Sequence, residues 1–148
     1  MSLLGIFNIA GSGMRAQSIR LNTTASNLAN AQSVSSSVSD TYRARHPVFA
    51  TIIGNIDADE PDALADGVFS RTGKGVRVLG IVESQAPLQL RFEPQHPMAD
   101  ENGYVAYPNV NIIEEMTDMI SASRSFQMNV EVMNTAKTMM QKVLTLGR

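Results

Sequence analysis

His46 and His96 are the side chains best suited to metal binding or acid-base work in a chain that contains no cysteine. Each is followed by proline, which biases both toward extended loop segments, and they stand fifty residues apart. They form a pair only if the fold brings them together, and nothing in their spacing does so. Five carboxylates, Asp57, Asp59, Glu60, Asp62 and Asp66, crowd a turn-rich stretch. Asp57 and Asp59 start like a calcium loop, but Pro61-Asp62 stand where an EF-hand needs an oxygen ligand followed by glycine. The stretch reads as a solvated turn. Gly67 through Gly75 approaches a phosphate loop, yet the spacing before Gly73-Lys74 is one residue too long, and Gly75 replaces the metal-binding Ser or Thr. A hairpin turn accounts for it better. No Gly-x-Ser-x-Gly elbow frames any serine, and the absence of cysteine excludes disulfides, thiolate catalysis and sulfur-based zinc sites. The expectation is a protein with no catalytic residue, no cofactor and no metal.

The polar residues that matter more lie inside two apolar stripes. From Ile112 the residues Met116, Met119, Ser123, Phe126, Val130, Met133, Lys137, Met140 and Leu144 follow at steps of four and three. That 3.5-residue repeat draws a narrow seam on an α-helix. No Gly or Pro falls between Asn111 and Leu146, Glu114, Glu115 and Asp118 come early, and Lys137 and Lys142 come late, the favourable order for the helix dipole. A helix of about 35 residues would be roughly 50 Å long and must bury its stripe against something else. Leu3, Phe7, Ala10, Met14, Gln17, Leu21, Thr24 and Leu28 repeat the same steps near the other end. Two such stripes fit an antiparallel intrachain coiled coil, or ordinary core helices of a bundle. Gly5, Gly11 and Gly13 weaken the first helix by roughly 1 kcal/mol each relative to alanine. Ser123 and Lys137 within the seam can fix register, or Lys137 can snorkel with its ammonium in water. Asn22, Asn27 and Asn30 lie among small residues, where their amides can bond neighbouring chains or cap the end of the helix.

Between the helices the period changes. Gln32 to Asp40 is a serine-rich loop, and alternation from Val48 to Ile53 behind Pro47 marks a strand. Val68–Arg71, Val76–Val82, Leu88–Phe92 and Gly103–Tyr107 read as further strands. The fold class is therefore α+β: long N- and C-terminal helices pairing as a coiled coil, with a small β-rich hairpin insert between them. The corresponding organisation is a discontinuous helical domain over 1–32 and 111–148, a linker loop over 33–44 and the insert over 45–110.

Composition narrows the function. A net charge of −2 without any Lys/Arg cluster argues against nucleic acid. Nine Met and no Trp suit helix-to-helix packing by flexible side chains. The apolar patch from Leu3 to Ala10 has its arginines behind it rather than before it, the wrong order for a Sec signal. The lack of acids before Asp40 imitates a transit peptide, but only two arginines occur in the first 42 residues. No apolar run reaches the roughly 18 residues that span a bilayer.

Leu21-Asn22-Thr23-Thr24-Ala25-Ser26-Asn27-Leu28-Ala29-Asn30 resembles the N-terminal signature of bacterial flagellar rod and hook proteins. Tyr42 through Phe49, Gly75-Val76-Arg77-Val78, His96-Pro97-Met98-Ala99, Gly103 through Asn111, and Glu115-Met116 with Ala122 through Ser125 narrow the resemblance to proximal-rod members of that axial family. It covers nearly the whole chain and is weakest over 54–72. The resemblance implies a structural subunit of the periplasm-spanning rod of the flagellar basal body, exported through the flagellar type III apparatus without a Sec signal. Terminal helices would form the inner tube and the middle would face outward. Implied partners are copies of itself, other rod subunits, the rod-to-basal-ring adaptor and the export apparatus, with no nucleic acid and no small-molecule substrate. Phe7, Met14, Leu21, Asn22, Asn27, Leu28, Asn30, Met116, Met119, Phe126, Val130, Met133, Lys137, Met140 and Leu144 are the expected subunit-interface residues. Another rod or hook subunit, or a coiled-coil secretion chaperone or adaptor, are the alternatives.

Overall fold

The computed structural model describes residues 3–53 and 74–146. Their order is α1 (Leu3–Asn30), β1 (Arg45–Ile52), β2 (Gly75–Glu83), β3 (Gln89–Phe92), β4 (Tyr104–Tyr107) and α2 (Ile112–Leu146). The two long helices with small β elements between them are the α+β arrangement expected. Val68–Arg71 and the acidic stretch from Asp57 to Asp66 lie outside the described residues.

Local chemistry sets the helix ends. Past Asn30 the chain turns as the Ser33 N–H and hydroxyl both donate to the Asn30 carbonyl. The serine loop then bonds to itself, with the Thr41 hydroxyl on the Ser37 carbonyl and the Ser39 N–H on Ser37 Oγ. Such side-chain bonds offer the backbone an alternative to helix. At the start of α2, Asn111 acts as N-cap: its Oδ1 accepts the Ile113 N–H at 3.2 Å and its carbonyl accepts the Glu115 N–H. Exposed Glu114 in the first turn complements the dipole there.

The strands form two two-stranded sheets, β1 with β2 and β3 with β4. β3 and β4 run antiparallel, Gln89 opposite Tyr107 through Phe92 opposite Tyr104. Phe92 and Tyr104 meet edge to face with centroids 5.4 Å apart. The chain returns between them through Gly103, whose φ of +80° suits glycine and where a Cβ would stand 2.9 Å from the Phe92 ring.

The described residues divide into two compact units, 3–18 with 49–53, 74–79 and 124–146, and 19–48 with 80–123. In the first, the apolar residues that reach full burial among those described are all alanines, Ala10, Ala16 and Ala136. Its β2 begins hard against α1: the Val76 N–H donates to Ser12 Oγ at 3.0 Å, and a Cβ on Gly75, at φ +135°, would collide with that hydroxyl. The second unit buries Ala31, Ala44 and Val110 with Tyr42 packed on them, together with Val105, Ala106 and Ala122.

Candidate assembly interface

In the second unit α1 meets α2 through polar groups. Asn27 is wholly buried and makes every hydrogen bond its amide can make. Its Nδ2 donates to the Arg45 carbonyl and to Glu115 Oε1, both at 2.8 Å; its Oδ1 accepts the Arg45 N–H at 2.9 Å and the Tyr42 hydroxyl at 2.8 Å. One side chain thus ties α1 to α2, to the start of β1 and to the loop before it. One turn or two away, Arg20 pairs with Asp118 at 2.7 Å, both side chains partly exposed. The contacts 27 to 115 and 20 to 118 run in opposite senses, as antiparallel helices require. Burial raises the Glu115 carboxyl above its ordinary pKa; the Asn27 hydrogen bond and the nearby His46 pull it down, while Asp118 and Glu114 push it up.

The first unit packs the same two helices by close approach. A Cβ on Gly13 would stand 3.0 Å from Asn129, and one on Gly11 would stand 3.9 Å from the Met133 methyl. These contacts also run antiparallel. The glycines of α1 let the Met133 methyl and the Asn129 amide of α2 come close to its backbone.

That shifts the seam of α2 by a residue at every second step. Met119, Phe126, Met133 and Met140 are half-buried, as the expected stripe requires. Between them the buried positions are Glu115, Ala122 and Ala136, each one residue before the expected Met116, Ser123 and Lys137, and Asn129, half-buried like Val130, is the one that meets Gly13. Ser123 and Val130 remain half-buried, whereas Ile112, Met116, Lys137 and Leu144 are exposed. On α1, Phe7, Met14, Leu21, Leu28 and Asn30 are half-buried and Asn22 is exposed. All of Asn27's polar capacity is used within the chain. Asn30 donates its amide to the Ser26 carbonyl one turn back. Glu115 and Tyr42, central to the node, stood in the sequence only as parts of the resemblance; their contact with Asn27 could not be read, because that partner lies 88 and 15 residues away.

Large apolar side chains of α2 stay open. In the second unit these are Ile113, 77% exposed, with Met116 and Ile120 at steps of three and four. In the first unit Met128, Val132 and Met139 are exposed, and with Ile6, Glu131, Thr135 and Ala136 they line a groove of about 500 Å³. At about 100° per residue, Met128, Val132, Thr135 and Met139 fall within roughly 60° of one another on the helix. Stripes of this kind mark protein-protein contact more often than scattered exposed apolar residues do. His46 lies exposed on β1, and His96 accepts the Met98 N–H at its own Nδ1.

The geometry is that of a helical subunit whose covered seam is thin and whose outer faces are apolar, and sequence comparison gives that class a family. Residues 7–34 match the family model for flagella basal body rod proteins, and residues 101–146 match the flagellar basal body rod FlgEFG protein C-terminal model. The chain is 51% identical to the flagellar basal-body rod protein FlgC of Salmonella typhimurium, with all of both chains covered. It is 51% identical to that of Escherichia coli O157:H7, again over all of both chains. The Borreliella burgdorferi FlgC is 37% identical, covering 99% of this chain and 98% of that one. The chain belongs to the FlgC family of flagellar basal-body rod proteins.

Proposed function

We propose that this chain is a structural, non-enzymatic subunit of the proximal rod of the bacterial flagellum, built with copies of itself and other rod subunits into a tubular shaft. The terminal segments 1–32 and 111–148 make the wall of the tube, and the insert over 45–110 faces away from it. The rod-to-basal-ring adaptor is its neighbour at the base, and the flagellar type III apparatus exports it to the periplasm-spanning part of the basal body.

The observation that carries this reading is the open apolar surface of α2. In the first unit the fully buried apolar residues are alanines, while Met128, Val132 and Met139 face out. A buried methyl-sized group contributes about 0.8 kcal/mol, against about 1.5–3 kcal/mol for a Val, Leu, Ile or Met side chain. The larger contribution is therefore available only when another subunit covers these residues. Half-buried Phe126, Met133 and Met140 and exposed Met116 and Leu144 supply further contacts at the borders of the same faces.

Met128→Asp and Val132→Asp test the reading in a strain lacking the wild-type gene. Cytosolic, exported and basal-body-bound subunit are each quantified. Normal cytosolic and exported levels with loss from isolated basal bodies are expected. Normal incorporation of both variants would remove the groove from the interface, and a wild-type chain that stays in the cytosol bound to an export client would establish a chaperone instead.

A further inference from the structure

Glu115 is the buried ionisable side chain among the described residues, 4% exposed, and its environment suits a neutral acid. Oε1 accepts one hydrogen bond from Asn27, and Oε2 is enclosed without any partner. No salt bridge neutralises it; His46 is the nearby cation, and it acts through space without a hydrogen bond to the carboxyl. On α1, Arg20 is held by Asp118; on β1, Arg45 reaches Glu83 of β2 at 2.9 Å and His46 lies exposed. On α2 itself Glu114 and Asp118 add negative charge. The Tyr42 hydroxyl donates to Asn27 Oδ1, and both Asn27 N–H groups are already engaged. An ionised carboxylate here carries one hydrogen bond in place of its hydration shell, a state that burial penalises strongly.

We propose that Glu115 is a proton-operated latch on the packing of α1 against α2 in this unit: protonation closes the helix pair over Asn27, and ionisation loosens it. The latch acts within the chain and does not depend on the proposed assembly faces. Its sign follows from linkage. A carboxyl that keeps its proton more tightly when folded gives a folded state that binds more protons than the unfolded one. Stability from this group is full below the ordinary value of 4.5 and is lost as pH rises through the higher folded value.

Two measurements on the full chain test it. The Glu115 side-chain carboxyl carbon is followed by NMR in the wild type between roughly pH 3 and pH 8, and denaturant unfolding is compared for wild type and Glu115→Gln over the same range. Glutamine keeps an acceptor for Asn27 without the charge. Glu115 is expected to titrate above 4.5. Within that window the folded-to-unfolded ratio of the wild type should fall, relative to Glu115→Gln, by up to about tenfold per pH unit, the limit for one linked proton. Titration at or below the ordinary value overturns the latch, as does a Glu115→Gln variant that keeps the wild-type pH slope. Should Glu115→Gln fail to fold, the wild-type titration decides alone.

Discussion

Replacing Gly11 and Gly13 with alanine, one at a time, separates two roles that glycine can have in a helix. Both sit in α1, where alanine is favoured over glycine by about 1 kcal/mol if there is room for the methyl group. At Gly11 there is room, since the new Cβ would lie 3.9 Å from the Met133 methyl, an ordinary contact. At Gly13 the Cβ would lie 3.0 Å from Asn129 Nδ2, 3.1 Å from Oδ1 and 3.2 Å from Cγ. Asn129 would have to turn away and surrender the bond from its Nδ2 to the Ser125 carbonyl, 2.9 Å long. Losing that bond costs about 0.5–1.5 kcal/mol, and overpacking adds about 1–3 kcal/mol, so even toward the lower end of these ranges the loss exceeds the propensity gain by about 1 kcal/mol.

Gly11→Ala should therefore stabilise and Gly13→Ala destabilise, with thermal midpoints about 3 °C above and below wild type for a chain of this size. Adding Asn129→Ala to Gly13→Ala clears the obstruction, so the double variant should be more stable than Gly13→Ala alone, a coupling that a double-mutant cycle measures. A Gly13→Ala midpoint raised as much as that of Gly11→Ala, or no coupling to Asn129, would refute the close approach of α1 to α2 in this unit.

Two further outcomes are expected. Asn27→Ala leaves Glu115, the Tyr42 hydroxyl and the Arg45 backbone groups without their buried partner and should cost about 3 kcal/mol in denaturant unfolding, while exposed Asn22→Ala should stay within about 0.5 kcal/mol; equal effects would contradict the node. Met133→Asp and Phe126→Asp place a carboxylate at half-buried seam positions, at a cost of several kcal/mol or a forced repacking, whereas Gln127→Lys changes an exposed residue outside the groove. Quantified in isolated basal bodies, the two Asp variants should be missing and Gln127→Lys present.

Both helices could be read from sequence because period and propensity agree over their whole length: nothing between Asn111 and Leu146 breaks a helix, and the stripes repeat at 3.5 residues. The described strands were legible from alternation beside Gly75 and Gly103, although β1 starts at Arg45 and runs through Pro47 where the sequence put its opening at that proline. The phase of the α2 seam was not. Met119, Phe126, Met133 and Met140 belong equally to two heptad patterns, one continued by Met116, Ser123, Val130 and Lys137 and the other by Glu115, Ala122, Asn129 and Ala136. Hydrophobicity favours the first. The choice of the second depends on the opposing surface, where Gly13 meets Asn129 and Asn27 bonds Glu115.

A small-sided seam also explains why the node at Asn27 is polar. Alanines and glycines slide past one another with little change in buried area, so apolar contact alone discriminates weakly between registers one turn apart. Hydrogen bonds do discriminate. A slip of α1 by one turn moves Asn27 about 6 Å, breaking its bonds to Glu115, Tyr42 and both Arg45 backbone groups together and leaving each group buried and unpaired. The network thus sets the register in its unit without using large apolar side chains. Ile113, Met116 and Ile120 on the same stretch of α2 take no part in it and stay exposed. Under the proposed assembly, what aligns the two helices in this unit is thus separate from what would join the chain to others.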